Sequence, residues 1–356
     1  MCAAQMVASS PKVSVVVPCR NERRYIRDVI DSVLRSDQPE GGIEIIIVDG
    51  MSDDGTREVL HELQAQHPSL MRILDNPKRI TPCALNLGVR AARGEVIVRL
   101  DAHTYYDKDY FVKCTEWLER SGADNVGGVW IVEPTRDTLV GRALARSYDH
   151  PFGSGSAHYR TGTSKEPRYV DTVPYGCYRR QVFDRIGYFR EDLARSQDME
   201  FNIRLRNAGG KILLVPEIKA RYQARATLAE VLPYYLSNGF WVLFPLKFGL
   251  KVFKFRHLAP LAFTAWIVAF GLLSLWSHWV RGLFLLCLAI YSSVALLASI
   301  QVALRQRRLE YVATLPAAFA LLHLTYGIGS LYGGLCLILE RLMPGQFQKA
   351  TPTHRV

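Results

Sequence analysis

The sequence predicts an α/β domain built on a mostly parallel sheet, followed by an α-helical membrane domain. Three observations lead there. Over the first half of the chain, short β-branched apolar runs alternate with amphipathic helical stretches. Charged residues are frequent up to Arg256 and then nearly vanish. Three runs without Asp, Glu, Lys or Arg follow, at 257–280, 282–304 and 311–339, each long enough to cross a bilayer, for which about 20 residues suffice.

Val13 to Val17 reads VSVVV, Ile43 to Val48 reads IEIIIV, and Val96 to Leu100 reads VIVRL. Runs of this kind are strands buried on both faces of a parallel sheet. Between the first two, Tyr25, Ile26, Val29, Ile30, Val33 and Leu34 recur at helical spacing within Glu22 to Leu34. Thr56 to Gln66 is a second helix, with Val59, Leu60 and Leu63 on one side. Strand and helix in that rhythm imply right-handed crossovers. The stretch 122–178 is rich in Gly, Tyr, Ser and Thr and is expected to form loops around a cleft. Gln197 to Asn207 is a helix ended by Gly209 and Gly210.

Ahead of the first apolar run, Trp241, Phe244, Phe248, Val252 and Phe255 share one helical face, and Lys247, Lys251 and Lys254 another. That is the layout of a helix lying in the headgroup region. The expected boundaries are a tail at 1–11, the α/β domain at 12–238, an interfacial helix at 239–257, a membrane domain of about three helices at 258–340 and a tail at 341–356. Pro316 and the glycines at 327, 329, 333 and 334 leave open whether the third run is straight, kinked or re-entrant.

The formal net charge is +11, and the basic residues concentrate beside the apolar segments. Anionic lipid explains this better than nucleic acid, for which no zinc-finger spacing or RNA-binding aromatic signature is present. The seven cysteines are scattered and form no CxxC pair, which argues against a disulfide framework or structural zinc and fits a reducing cytoplasm. Met1 to Ser10 has neither a basic start nor a long apolar run, so it does not read as a cleavable signal peptide. The basic loop from Arg305 to Arg308 is expected on the cytoplasmic face, with the α/β domain on the same side. The apolar runs carry no ionisable Asp, Glu, Lys or Arg of the kind a coupled transporter uses.

The chemistry-bearing residues follow predicted strands, where ligands of open α/β sheets bind. Pro18-Cys19-Arg20-Asn21-Glu22 follows the first strand, without the Gly-x-Gly-x-x-Gly of a dinucleotide dehydrogenase. Asp49-Gly50-Met51-Ser52-Asp53-Asp54-Gly55-Thr56 follows the second; its carboxylates suit a base or ribose, or a turn and helix cap. Asp101-Ala102-His103 follows the strand VIVRL. A carboxylate and an imidazole two residues apart can hold a divalent cation, and the cation can neutralise a diphosphate leaving group.

The order P-x-R-N-E, V-D-G-x-S-x-D-G-T, then a strand ending in D-A-H resembles the inverting family 2 glycosyltransferases of the GT-A, Rossmann-like fold. Asn86-Leu87-Gly88 and Ala92-Arg93-Gly94-Glu95 resemble that family's N-x-G…A-x-G-E segment. The resemblance covers roughly Lys12 to Tyr222 and, with the three-span tail, is nearest to the ExoA-type succinoglycan-biosynthesis enzymes. It implies transfer of a sugar, typically glucose, from a UDP-sugar to a lipid-linked oligosaccharide in exopolysaccharide biosynthesis. It implies a divalent cation, magnesium or manganese, and a place at the inner membrane of a bacterial-type cell beside other polysaccharide-assembly proteins.

The resemblance assigns Pro18, Arg20, Glu22, Asp49, Asp53, Asn86 and Asp101 to the nucleotide-sugar site, and Asp101 and His103 to the metal. Histidine departs from the family's usual Asp-x-Asp. The family places its catalytic base in a Glu-Asp pair before a helix. Here Gln197-Asp198-Met199-Glu200, followed by Arg204, matches with Gln in the first slot, so Asp198 is the expected base, with Glu200 and Glu191-Asp192 as rivals. The Gln-x-x-Arg-Trp motif of processive members is absent, which implies addition of a single sugar. Two other readings remain: a polyprenyl-phosphate sugar transferase, and a non-catalytic membrane protein with a degenerate nucleotide-binding domain.

Overall fold

The structure, a computed structural model, describes residues 10–155, 157–162, 165–249 and 255–343. In chain order the elements open with β1 (Val13–Cys19), α1 (Ile26–Leu34), β2 (Ile43–Asp49), α2 (Thr56–Gln66), β3 (Met71–Asp75), α3 (Thr81–Ala91), β4 (Val96–Arg99), β5 (Thr104–Tyr106), α4 (Tyr110–Ser121) and β6 (Asn125–Pro134). Then come α5 (Leu139–Asp149), α6 (Pro151–Ser154), α7 (His158–Thr161), β7 (Arg168–Tyr169), β8 (Cys177–Arg179), α8 (Gln181–Ile186), α9 (Gln197–Asn207) and β9 (Ile212–Ala224). The chain continues with α10 (Leu228–Val242), α11 (Phe255–Leu273), α12 (His278–Gln306) and α13 (Glu310–Leu342). The described residues form two compact units, one from those of 10–130 and 165–221, the other from those of 131–162 and 222–343.

The first unit is built on a sheet of order β3-β2-β1-β4-β8-β6-β9-β5, with β7 beside β9. The three apolar runs form its parallel half, β1 pairing with both β2 and β4. Beyond β4 the sheet turns mixed, because β8 runs antiparallel to both β4 and β6. Every residue of β2 is buried, and Ile26, Val29, Ile30 and Val33 of α1 bury one face of that helix. Each such aliphatic side chain contributes about 1.5–3 kcal/mol relative to exposure. Pro18 lies past the last β1–β4 register pair, Val16 with Arg99, so its missing N–H costs no ladder bond on that side.

The second unit holds the long helices. Among the described residues, Arg256–Leu273, His278–Gln306 and Glu310–Leu342 are long and apolar enough to cross a membrane. Their outward residues are large and apolar: Trp279 is 91% exposed and Leu297 66%, which suits lipid and not water. α13 is one unbroken helix through Pro316 and its glycines, neither broken nor turned back. Those glycines let α10 lie against it: a Cβ on Gly239 would sit 2.0 Å from the Tyr326 carbonyl oxygen, and one on Gly329 2.1 Å from that of Leu236.

Two stretches differ from expectation. Residues 122–178 are not only loops. They contain β6 and a capped helix, α5, whose Thr138 hydroxyl accepts from Gly141 N at 3.0 Å. α5 is tied to the start of α13 by Arg142 to Glu310 at 2.9 Å. Further along, His323 Nε2 lies 2.9 Å from the Phe152 carbonyl, and its Nδ1 lies 2.9 Å from Tyr291 Oη. Gly153 here serves close packing, since a Cβ on it would lie 2.1 Å from the Ser147 carbonyl oxygen of α5. The stretch 239–257 is also not one helix. Its first residues close α10, a 3-10 turn follows at Phe244–Phe248 with Pro245 in its first turn, and Gly249 ends that turn in the left-handed region at φ 68°. Residues 250–254, with Lys251, Val252 and Lys254, lie outside the described residues.

Candidate active site

The loops after β1 and β2 are locked together. Asn21 sits at φ 56°, a left-handed conformation that Asn tolerates, and its side chain forms a reciprocal pair with Asp53. Asn21 Nδ2 donates to Asp53 Oδ1 at 2.9 Å, and Asp53 N donates to Asn21 Oδ1 at 3.0 Å. Asp49 is fully buried. It accepts from Ser52 N at 3.1 Å and from Arg57 Nη1 at 2.8 Å, while Arg57 also reaches Asp75 at 2.9 Å. In this chain, then, Asp49 shapes its loop from within. Arg20 passes under Gly50, where a Cβ would meet its own Cβ at 3.1 Å, and donates to the Arg79 carbonyl at 3.4 Å.

Glu22 and His103 meet across the loops after β1 and β4, Oε1 to Nδ1 at 3.0 Å. If Nδ1 carries the proton, Glu22 accepts it and Nε2 keeps its lone pair, the arrangement in which a carboxylate orients a metal-binding imidazole. Asp101 is fixed differently. Its backbone N donates to Tyr106 Oη at 2.9 Å, and its Oδ1 accepts from Arg99 Nη2 at 2.8 Å.

Arg99 was not among the residues expected here, yet it organises the site. Its Nη1 donates to Asp198 Oδ2, so one guanidinium joins Asp101 to Asp198. Burial works against its charge, but Asp101 and Asp198 outweigh burial and hold it well above its ordinary pKa. The sequence did carry a signal: a lone Arg inside the apolar run VIVRL must find carboxylates. Asp198 opens α9, preceded by Ser196 in the left-handed region at φ 62°. Its Oδ1 is buried and has no hydrogen-bond partner among the described residues. Burial raises its pKa above the ordinary aspartate value, Asp101 adds to the rise, and Arg99 opposes it. A carboxylate with one oxygen anchored and the other bare, and with raised basicity, is equipped to accept a proton.

The rival carboxylates are committed elsewhere. Glu200 is buried and grips Arg204 through both oxygens, at 2.7 and 3.0 Å. Asp192 pairs with Arg190 at 2.8 Å. Glu191 accepts from Lys78 at 2.6 Å and from Asn86 at 3.0 Å; Lys78 first, then Asn86 and Cys83, lower its pKa to about 2. Asn86 spends its amide on this same segment, donating to the Phe189 carbonyl at 2.8 Å and accepting from Phe189 N at 2.9 Å. Its hydrogen bonds therefore hold the 189–191 segment to α3.

Among the described residues, no three His, Cys, Asp or Glu side chains are grouped to hold a metal ion. Asp101 and His103 offer one carboxylate oxygen and one imidazole nitrogen. That pair fits a hard or borderline divalent cation whose remaining ligands are diphosphate oxygens and water.

Residues 14–187 match the family described as Glycosyl transferase family 2. The chain is 28% identical, over 88% of its length and 95% of the relative's, to the dolichyl N-acetyl-alpha-D-glucosaminyl phosphate 3-beta-D-2,3-diacetamido-2,3-dideoxy-beta-D-glucuronosyltransferase of Methanococcus voltae. It is 27% identical, over 88% of its length and 92% of the relative's, to the succinoglycan biosynthesis protein ExoA of Rhizobium meliloti. In fold it resembles the mannosyltransferase PcManGT of Pyrobaculum calidifontis, solved in complex with GDP-Man and Mn2+, with a TM-score of 0.61 and 19% identity over 91% of this chain and 88% of that one. A GT-A-like mixed sheet, a family match across the loops after β1, β2 and β4 and relatives of nearly equal length agree: the chain carries a family 2 glycosyltransferase domain and is a glycosyltransferase.

Proposed function

We propose that this chain is a membrane-bound inverting glycosyltransferase that moves one hexose, glucose first among candidates, from a UDP-sugar to a lipid-linked oligosaccharide in exopolysaccharide assembly. The observation that carries the proposal is Asp198, held by Arg99 beside Asp101 with one oxygen bare. The Methanococcus relative is named for a dolichyl-phosphate-linked sugar acceptor and the Rhizobium relative for succinoglycan biosynthesis, which supports a lipid-linked acceptor. The three long apolar helices support a membrane setting. The basic stretch Arg305 to Arg308 supports a cytoplasmic active site at a bacterial-type inner membrane.

In this reading the loops of Pro18, Arg20, Glu22, Asp49 and Asp53 enclose the uridine side of the donor. Asp101 and His103 would hold a divalent cation, magnesium or manganese, and bound there it would supply positive charge to offset that of the departing UDP. Asp198 Oδ1 takes the proton of an acceptor hydroxyl as its oxygen bonds to C1 of the sugar. The bond from C1 to the diphosphate oxygen breaks on the opposite face, and the single displacement inverts the anomeric centre.

Membranes containing the full chain, radiolabelled UDP-glucose and other nucleotide sugars, and manganese, magnesium or EDTA test this. Metal-dependent label in a lipid-linked oligosaccharide is the expected result. Label on bare polyprenyl phosphate replaces the acceptor with that of a polyprenyl-phosphate sugar transferase. No transfer from any donor by folded protein overturns the proposal in favour of a binding role.

A further inference from the structure

Asn86 stands on α3 and Asp198 opens α9, and one residue, Phe189, touches both helices. The Asn86 side chain closes a pair with the Phe189 backbone, donating from Nδ2 to its carbonyl at 2.8 Å and accepting from its N–H at 2.9 Å. A neighbouring strand holds a peptide in the same way; here a side chain does it. The same Nδ2 lies 3.0 Å from Glu191 Oε1. Asn86 and Phe189 are both buried. Removing the amide therefore strands a buried backbone donor and acceptor, which costs more than the bonds themselves contribute.

α9 grips the same segment from its other side. Arg204 of α9 donates to the carbonyls of Ile186 and Tyr188, the second at 2.8 Å, and is itself held by Glu200 at 2.7 Å. The Phe189 ring stacks on the buried ring of Phe201, with centroids 4.4 Å apart and planes at 30°. Phe201 lies three residues after Asp198, so the two share a face of α9. The connection 190–196 carries neither strand nor helix and ends at Ser196 in the left-handed region. No ladder therefore sets the direction of α9; packing does. Interiors are close-packed, so a displaced Phe189 displaces Phe201 and the first turn of α9 with it. Asp198 Oδ2, which Arg99 holds, moves with that turn.

We propose that Asn86 is a positioning residue for Asp198: through Phe189 and Phe201 it sets where that carboxylate stands relative to Arg99. This role replaces the contact with the nucleotide sugar that the family resemblance implies for Asn86. It rests on the function proposed above, in which Asp198 takes the proton of the acceptor.

The test uses the full chain in nanodiscs, UDP binding by calorimetry, and transfer from radiolabelled UDP-glucose or the donor that the membrane assay identifies. Asn86→Ala is expected to slow transfer about 10²-fold, the cost of a misplacement of about 1 Å, and to change UDP affinity by less than about threefold. The acid limb of kcat/KM is expected to move to higher pH, because an Asp198 loosened from Arg99 loses the charge that lowers its pKa. In an Asp198→Asn background, Asn86→Ala is expected to cost little more, since a residue that acts through the base has nothing left to place. Additive losses overturn the proposal, as does a loss of UDP affinity equal to the loss of rate. If Asn86→Ala fails to fold, Phe201→Leu, which removes the stacked ring but stays apolar, decides by the same comparisons. Hydrogen exchange separates this inference from the function beneath it. Asn86→Ala is expected to speed exchange in α9 from Glu200 on, whose N–H donates to the Ser196 carbonyl at 2.9 Å, and to leave β2 protected. Unchanged exchange in α9 overturns the proposal. Wild-type transfer by Asp198→Asn overturns the base assignment in the proposed function, while faster exchange in α9 would still show that Asn86 holds that helix.

Discussion

Arg99 and Asp198 are joined side chain to side chain, Nη1 to Oδ2, while the other Nη of the same guanidinium lies 2.8 Å from Asp101. The two arms of one fork thereby fix the separation between Asp101, proposed on the donor side, and Asp198, the proposed base. Lysine keeps the charge but offers a point donor without the fork. Arg99→Lys is expected to lower the transfer rate about 10²-fold, because a misplacement of about 1 Å costs that much. UDP binding, which Arg99 does not itself provide, is expected to change by less than tenfold. Rate constants set beside calorimetric UDP affinities check this; equal losses in both contradict it.

Asp198→Asn removes the proton acceptor but keeps the shape. General-base contributions run to about 10²–10⁴-fold, so transfer is expected to fall by about 10³-fold or more with UDP binding intact. The pH profile gives a second reading. Burial raises the Asp198 pKa, so the acid limb of kcat/KM is expected above the ordinary aspartate value of 3.8. Arg99 lowers that pKa, so Arg99→Gln is expected to move the limb to higher pH still. A limb that stays in place when Arg99 is removed would exclude Asp198 as its source.

The parallel half of the sheet could be read from VSVVV, IEIIIV and VIVRL because double burial leaves continuous apolar runs. The loops expected to face a ligand lie directly after β1, β2 and β4, because those runs end there. What escaped the reading was pairing between distant segments. Glu191 reads as acidic in the sequence, but only the fold brings Lys78 and Asn86 to it. Asn86 reads as a ligand residue, but only the fold spends its amide on Phe189. α5 escaped for another reason: its glycine, Gly141, packs where a Cβ would lie 2.4 Å from the Arg136 carbonyl oxygen. Composition alone cannot tell a glycine needed for close approach from one that loosens a loop.

Glu191 makes the opposite pH prediction from Asp198. Its pKa is lowered from 4.5 to about 2, chiefly by Lys78. A depressed carboxylate stabilises the fold above its unfolded pKa, and that contribution fades as pH falls from about 4.5 towards about 2. Glu191→Gln is expected to lower the thermal midpoint at pH 7 by a modest amount, since the pair is partly exposed. The difference from wild type is expected to shrink as the pH drops through that window. A constant difference across it would mean that the charge contributes nothing and only the Asn86 contact matters.

The metal assignment rests on Asp101 and His103, with Glu22 behind the imidazole. Asp101→Ala is expected to weaken UDP binding in manganese but hardly in EDTA. Glu22→Gln replaces the carboxylate that His103 meets with a neutral amide and is expected to weaken metal-dependent UDP binding by about 10-fold or more, as loss of an outer partner does in other sites. His103→Asp exchanges a nitrogen ligand for oxygen and is expected to shift preference towards magnesium. UDP affinity measured with each metal checks all three, and UDP binding that ignores metal in every protein removes the assignment.

The contact between α10 and α13 sets two glycine effects against each other. Gly to Ala in an exposed helix usually stabilises by up to about 1 kcal/mol through helix propensity. At Gly239 the new methyl would lie 2.0 Å from the Tyr326 carbonyl oxygen, a backbone atom that cannot rotate away. Separating two packed helices to admit it costs about 1–3 kcal/mol. The clash exceeds the propensity gain, so Gly239→Ala is expected to lower the unfolding temperature in detergent. Gly282 of α12 provides the control, because a Cβ there meets nothing within 4 Å. Gly282→Ala should be neutral or stabilising by thermal unfolding. If both substitutions stabilise, α10 does not approach α13 this closely, and the glycines of α13 need another explanation.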